Sequence, residues 1–175
     1  MIMIKTTVSH LVAFEQKPKS ADCGVAAVRS IFTSLTGVVL DEDALRERLG
    51  TTEEQGTRTK EIIRFFEEKG LVCEESENNS IESIKKELGE GKLCLVAYQA
   101  WGTEEEYQEL ESGHYSVIYG VDENDVYLLD PSIHEDEGMG LGKRKMRIDR
   151  FLDQWKDKNN RGRVYDRWCL SVGLK

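Results

Sequence analysis

Gln16-Lys-Pro-Lys-Ser-Ala-Asp22-Cys23-Gly24-Val25-Ala26-Ala27-Val28 runs from a polar loop into an apolar stretch, and a cysteine stands at the junction. From there Val25, Val28, Ile31, Phe32 and Leu35 recur at spacings of three and four, one apolar face of a helix that ends near Gly37. The first backbone N–H groups of a helix lack partners and the helix dipole is positive there, so a thiol in the first turn is favoured as thiolate. Asp22 is expected as the N-cap. A helix anchored by its body offers its N-terminus for chemistry. The competing reading is a small buried core thiol, the ordinary fate of an intracellular cysteine.

Working outward, the first half reads as mostly helical. An alternating arm over residues 1–15 precedes the cysteine loop, and helices follow over Asp41–Leu49, from Thr57 or Thr59 to Lys69, and over Ser80–Leu88, with a short strand at Leu71–Glu75. The second half changes period. Lys92–Tyr98 reads as a buried strand, Thr103–Glu111 as a surface loop or short helix, and His114–Gly120 with Asp125–Asp130 as a hairpin that Pro131 ends. Ser132–Gly142 is a polar, glycine-spaced surface loop, followed by a strand at Lys143–Ile148, a short helix at Asp149–Lys156 and a last strand at Val164–Val172. Helices first and an antiparallel sheet second make an α+β fold, and 175 residues at 39% hydrophobic make one domain, 1–175.

A net charge of −9 argues against a nucleic-acid partner or an anionic membrane surface. No run approaches the ~18 apolar residues of a membrane span, and the first residues lack a signal-peptide core, so a cytoplasmic protein is expected. Cys23, Cys73, Cys94 and Cys169 are scattered without a Cys-x-x-Cys pair and are read as reduced, the last three as core thiols. His10, His114 and His134 give no metal-ligand spacing, so neither metal nor cofactor is expected.

A nucleophilic cysteine needs a base, a group to orient that base, and donors for the oxyanion. The hairpin can supply the first two. With a tip at Asp122-Glu123-Asn124, residue 116 lies opposite 130, and His114 and Asp130 are diagonal neighbours on one face, close enough for imidazole and carboxylate to meet. A tip of two or four residues would put them on opposite faces. Gln16 can place its amide N–H beside the Cys23 N–H as an oxyanion donor, or be a plain loop glutamine.

Gln16, the run Asp22-Cys23-Gly24-Val25-Ala26-Ala27, the run Gly113-His114-Tyr115-Ser116-Val117-Ile118-Tyr119-Gly120-Val121-Asp122, and Leu129-Asp130-Pro131 resemble the peptidases that process double-glycine bacteriocin leaders, within the papain-like cysteine peptidases. The motifs stand in that family's order and span about residues 10–150, Gln16 lying one position farther from the cysteine than is usual there. The resemblance implies a papain-like fold, Cys23 as nucleophile, His114 as general base then acid, Asp130 orienting the imidazole, and Gln16 in the oxyanion hole. It also implies small residues such as glycine before the cut. A peptide or protein substrate follows, and the acidic runs Glu104–Glu106 and Glu135–Glu137 favour one with positive charge. Transfer of the acyl group to an amine or thiol, and a non-catalytic peptide-binding module on the same fold, are the alternatives to hydrolysis.

Overall fold

A short strand, β1 (Ile4–Lys5), and an extended arm lead to helix α1 (Cys23–Thr36) in the computed structural model, which describes residues 3–135, 138–159 and 161–175. The arm is laced along α1: Ser34 Oγ accepts from the Val12 N–H and Ser30 Oγ from the Phe14 N–H, both at 2.9 Å. The Arg29 guanidinium stacks 4.1 Å over the Phe14 ring. Hydroxyls thus replace the ladder partners that an arm beside a helix lacks, and the segment before Cys23 is held to the helix it enters.

Helix α2 (Glu42–Leu49) is capped by Asp41, whose carboxylate accepts from the Ala44 N–H at 2.9 Å, and closed by Gly50 at φ 59°, where a left-handed residue costs glycine nothing. Helix α3 (Thr59–Glu68) buries Ile62, Phe65 and Phe66. Strand β2 (Val72–Ser76) precedes α4 (Ile81–Gly89), which opens on a capping box between Ser80 and Ser83. Then come β3 (Leu93–Gln99), a 3-10 turn at Glu106–Gln108, β4 (Gly113–Val121), β5 (Asp125–Leu129), β6 (Lys143–Arg147), α5 (Ile148–Gln154), β7 (Lys156–Lys158), β8 (Val164–Asp166) and β9 (Cys169–Gly173).

Among the described residues these strands form a seven-stranded antiparallel sheet in the order β2-β9-β3-β4-β5-β6, with β1 also paired to β4, and a separate β7-β8 ribbon. Helices cover both faces. Leu93, Leu95, Ala97, Val117 and Leu129 pack with Val25, Ile31, Ile62 and Phe66, whereas Cys94, Val96, Tyr98, Ile118 and Leu128 pack with Ile84, Leu88, Phe151 and Trp155. That two-sided cover is why every residue of β3 is buried and its sequence reads as continuously apolar.

Two expectations need correction. The expected strand over Val164–Val172 is broken at Arg167, at φ 48°, whose carbonyl accepts from the Asn79 side chain at 3.0 Å; the break makes β8 the partner of β7, a strand the apolar pattern did not reveal. At the hairpin, Val121 pairs with Val126 and Asp122 donates to Asp125 at 3.0 Å, so the turn proper is Glu123-Asn124. That register alone would separate His114 from Asp130. A β-bulge at Tyr119 adds the residue that restores the expected pairing, Ile118 with Leu128 and Val117 with Leu129.

The first turn of α1 is wedged against the loop before α3: a Cβ on Gly24 would lie 2.5 Å from Thr57 Cβ. Gly24→Ala is expected to lower unfolding stability by about 1–3 kcal/mol through overpacking, and chemical denaturation showing no loss would contradict this packing.

Candidate active site

Cys23 is the first residue of α1 and partly exposed, while Gly24 to Val28 behind it are buried. Asp22 does not cap the helix as its type suggests. Its backbone sits at φ −92°, ψ 11°, and its side chain makes no capping hydrogen bond. The buried carboxylate instead accepts from Arg46 Nε of α2 at 2.7 Å. Arg46 also reaches Glu53 at 2.8 Å, and Glu53 in turn accepts from the Ala21 N–H at 3.1 Å.

His114 is 2% exposed, and its Nε2–H donates to Asp130 Oδ1 at 2.8 Å, which leaves Nδ1 for the interaction with Cys23. Burial alone would push the imidazole down. The hydrogen bond to Asp130 and the interaction with Cys23 outweigh it and raise the ring to about 9. Because that value lies above the ordinary one, the contribution of the charged ring to stability is full below about 6.5 and is lost as the pH rises through about 9.

Asp130 is 1% exposed and heavily solvated by protein. Besides His114, Oδ1 accepts from the Ser132 N–H at 2.9 Å and Ser132 Oγ at 2.8 Å, and Oδ2 accepts from Tyr98 Oη at 3.0 Å and Arg144 at 3.4 Å. Burial opposes its charge, but His114 and Ser132 prevail and hold the carboxyl well below the usual carboxylate range. Gly113 has no room for a side chain, since a Cβ there would lie 2.5 Å from Asp157 Oδ1. Asp157 is itself pushed up to about 6 by burial, against the Lys158 N–H and the Gln99 amide. Trp101, half-exposed, packs its ring 5.0 Å from that of His114.

Cys23, His114 and Asp130 are therefore brought together. Gln16 is joined to the same region by its backbone, its N–H donating to the Pro131 carbonyl at 2.9 Å. Its side-chain Nε2 donates to the Ser20 carbonyl at 3.2 Å, and its Oε1 is buried without a partner. Sequence reasoning passed over Tyr98, Ser132, Arg144 and Trp101. Ser132 was legible as an Asp-x-Ser turn, and Tyr98 stands directly opposite His114 in the β3–β4 register. Arg144 belongs to the basic run Lys143–Arg147 of the expected strand, and nothing local marks it as turning inward. Cys94 and Cys169 are buried as expected, whereas Cys73 is only partly so. Among the described residues no three His, Cys, Asp or Glu side chains gather into a metal site.

Asp130→Asn removes the charge that offsets burial, so the His114 ring should fall from about 9 to near or below the ordinary value of about 6.5. An NMR titration of the ring that stays near 9 in this variant would contradict the assignment.

Solved structures share the fold: a putative C39-like peptidase from Bacillus anthracis (TM-score 0.70, 14% identity, 98% of each chain), the peptidase domain of Streptococcus ComA, a bifunctional ABC transporter of a quorum-sensing pathway (0.67, 18%, 95% of this chain and all of that one), and a double-glycine-motif protease from an AMS/PCAT transporter in complex with its leader peptide (0.65, 14%, all of both). An uncharacterized protein of Methanothermobacter thermautotrophicus is 30% identical over 115 residues, 66% of this chain and 68% of that protein. Since the peptidase C39 family model matches residues 12–159, the chain belongs to the peptidase C39 family, with that family's mixed helix and antiparallel-sheet fold.

Proposed function

We propose that residues 1–175 act as one cysteine peptidase domain that cleaves a peptide after small residues such as glycine, through an acyl-enzyme on Cys23. The observation that carries this reading is the buried His114 ring, held by Asp130 through Nε2 and in contact with Cys23 at a helix N-terminus. Nδ1 takes the thiol proton, and the thiolate attacks the substrate carbonyl. The developing oxyanion is met by the Cys23 N–H and, once its amide leaves the Ser20 carbonyl, by Gln16 Nε2. The imidazolium then protonates the leaving nitrogen, and water, deprotonated by the same ring, releases the acyl group.

Glycine specificity is supported by the likeness to the double-glycine-motif protease and its leader peptide. Glu104 and Glu105, exposed in the loop after Trp101, suit a substrate with basic residues; Glu135 is described, whereas Asp136 and Glu137 of the second acidic run lie outside the described residues. None of the four cysteines is in a disulfide, and no helix among the described residues is long and apolar enough to cross a membrane. Free thiols suit action in the reducing cytoplasm.

The test is mass spectrometry of synthetic peptides carrying a central Gly-Gly. Cleavage after the second glycine is expected, with a fall of at least about a thousandfold in Cys23→Ala or His114→Ala. An uncut peptide library, or cutting that survives Cys23→Ala, would overturn the reading.

A further inference from the structure

The first turn of α1 is chemically unusual because an aspartate at the N-cap position declines to cap. An N-cap aspartate normally adopts an extended backbone and accepts from the N–H of the second or third helical residue. Asp41, at ψ 132°, does so for α2, whereas Asp22, at ψ 11°, does not. Among the described residues nothing accepts from the N–H groups of Cys23, Gly24 or Val25. Leaving helix N–H groups open beside a carboxylate able to take them is unfavourable. Some interaction must hold Asp22 away.

We propose that Arg46 is a positioning residue for the chemistry at Cys23: it draws the Asp22 carboxylate off the first turn of α1 and so keeps the N–H groups there open for an oxyanion. This rests on the reading of Cys23 as an acylated nucleophile. The geometry is specific. Arg46 Nε holds Asp22 Oδ1 at 2.7 Å, and its Nη2 holds Glu53 at 2.8 Å. Glu53 fixes the Ala21 N–H at 3.1 Å, so both residues before Cys23 are gripped from outside the loop. A carboxylate capping the Gly24 or Val25 N–H would set a negative charge beside the Cys23 N–H that meets the oxyanion, so the pull on Asp22 is the opening for the oxyanion. Without the guanidinium, Asp22 is free to swing into the extended conformation and occupy the site with a negative charge.

The test separates reactions at one thiol by whether they form an oxyanion. Acylation by p-nitrophenyl acetate does: the thiolate adds to the ester carbonyl, the C=O electron pair moves to oxygen, and p-nitrophenolate leaves as the carbonyl reforms. Alkylation by iodoacetamide does not, since sulfur displaces iodide at a saturated carbon. The ratio of the two rates at Cys23, read by peptide mass spectrometry, isolates the oxyanion site from any general change in the thiol or the fold. Arg46→Met is expected to lower the ratio by about a hundredfold, the scale of one lost oxyanion donor. Adding Asp22→Ala to Arg46→Met should restore it to within about threefold of wild type, because the competing carboxylate is gone. Merely structural damage would not be rescued by a second truncation. An unchanged ratio in Arg46→Met, or a double variant as low as the single one, overturns the role of Arg46. A wild-type Cys23 that acylates no faster than a free thiol instead overturns the acyl-enzyme reading beneath it.

Discussion

A buried carboxylate must be satisfied or protonated, and Asp130 meets that constraint with donors from across the fold: His114 on β4, Tyr98 on β3, Ser132 beyond its own strand and Arg144 on β6. Each bond also fixes the element it comes from. The sheet order β3-β4-β5-β6 is thus the order in which the donors are delivered to one oxygen pair. The charge so held, together with Cys23, raises a nearly inaccessible imidazole to about 9 against the pull of burial.

Cys23 reaches this centre from the other half of the chain, and the joint is made by backbone as much as by side chains. Gln16 N–H bonds the carbonyl of Pro131, the residue after Asp130, while the arm before Gln16 is laced to α1 through Ser30 and Ser34. Glu15 meets His134 at 2.9 Å, and Ala13 packs so closely on Gly142 that a Cβ there would lie 2.6 Å from it. The segment that leads to the nucleophile is therefore clasped by the segment that follows the orienting aspartate. Nucleophile and base are thus set relative to each other by this clasp together with the core packing of α1 on β4 through Val25, Ile31 and Val117.

Much of this was legible in the sequence, and what was not had a physical reason. The apolar spacing from Val25 to Leu35 and the β-rich runs around His114 and Asp130 report on burial, which dominates local structure. The diagonal pairing of His114 with Asp130 was also readable, but for an incomplete reason: the turn is shorter than expected and the bulge at Tyr119 compensates. A bulge is decided by how β1 and β5 flank β4, which no local pattern encodes. Asp22 shows the converse. Its type and position announce a cap, and a guanidinium 24 residues away overrules the local preference. Arg144 is hidden in the same way, a half-buried cation in a basic strand whose Lys145 and Arg147 are exposed.

Chemistry at this site depends on a Cys23 that draws its reactivity from His114. The most direct measurement is the iodoacetamide alkylation rate of Cys23 across pH 6 to 9, beside Cys73, whose thiol burial pushes up to about 11, as a slow internal reference. Fast alkylation of Cys23 is expected already at about pH 6, falling by at least about tenfold in His114→Ala while Cys73 is unchanged. A Cys23 that alkylates equally fast with and without His114 would contradict it.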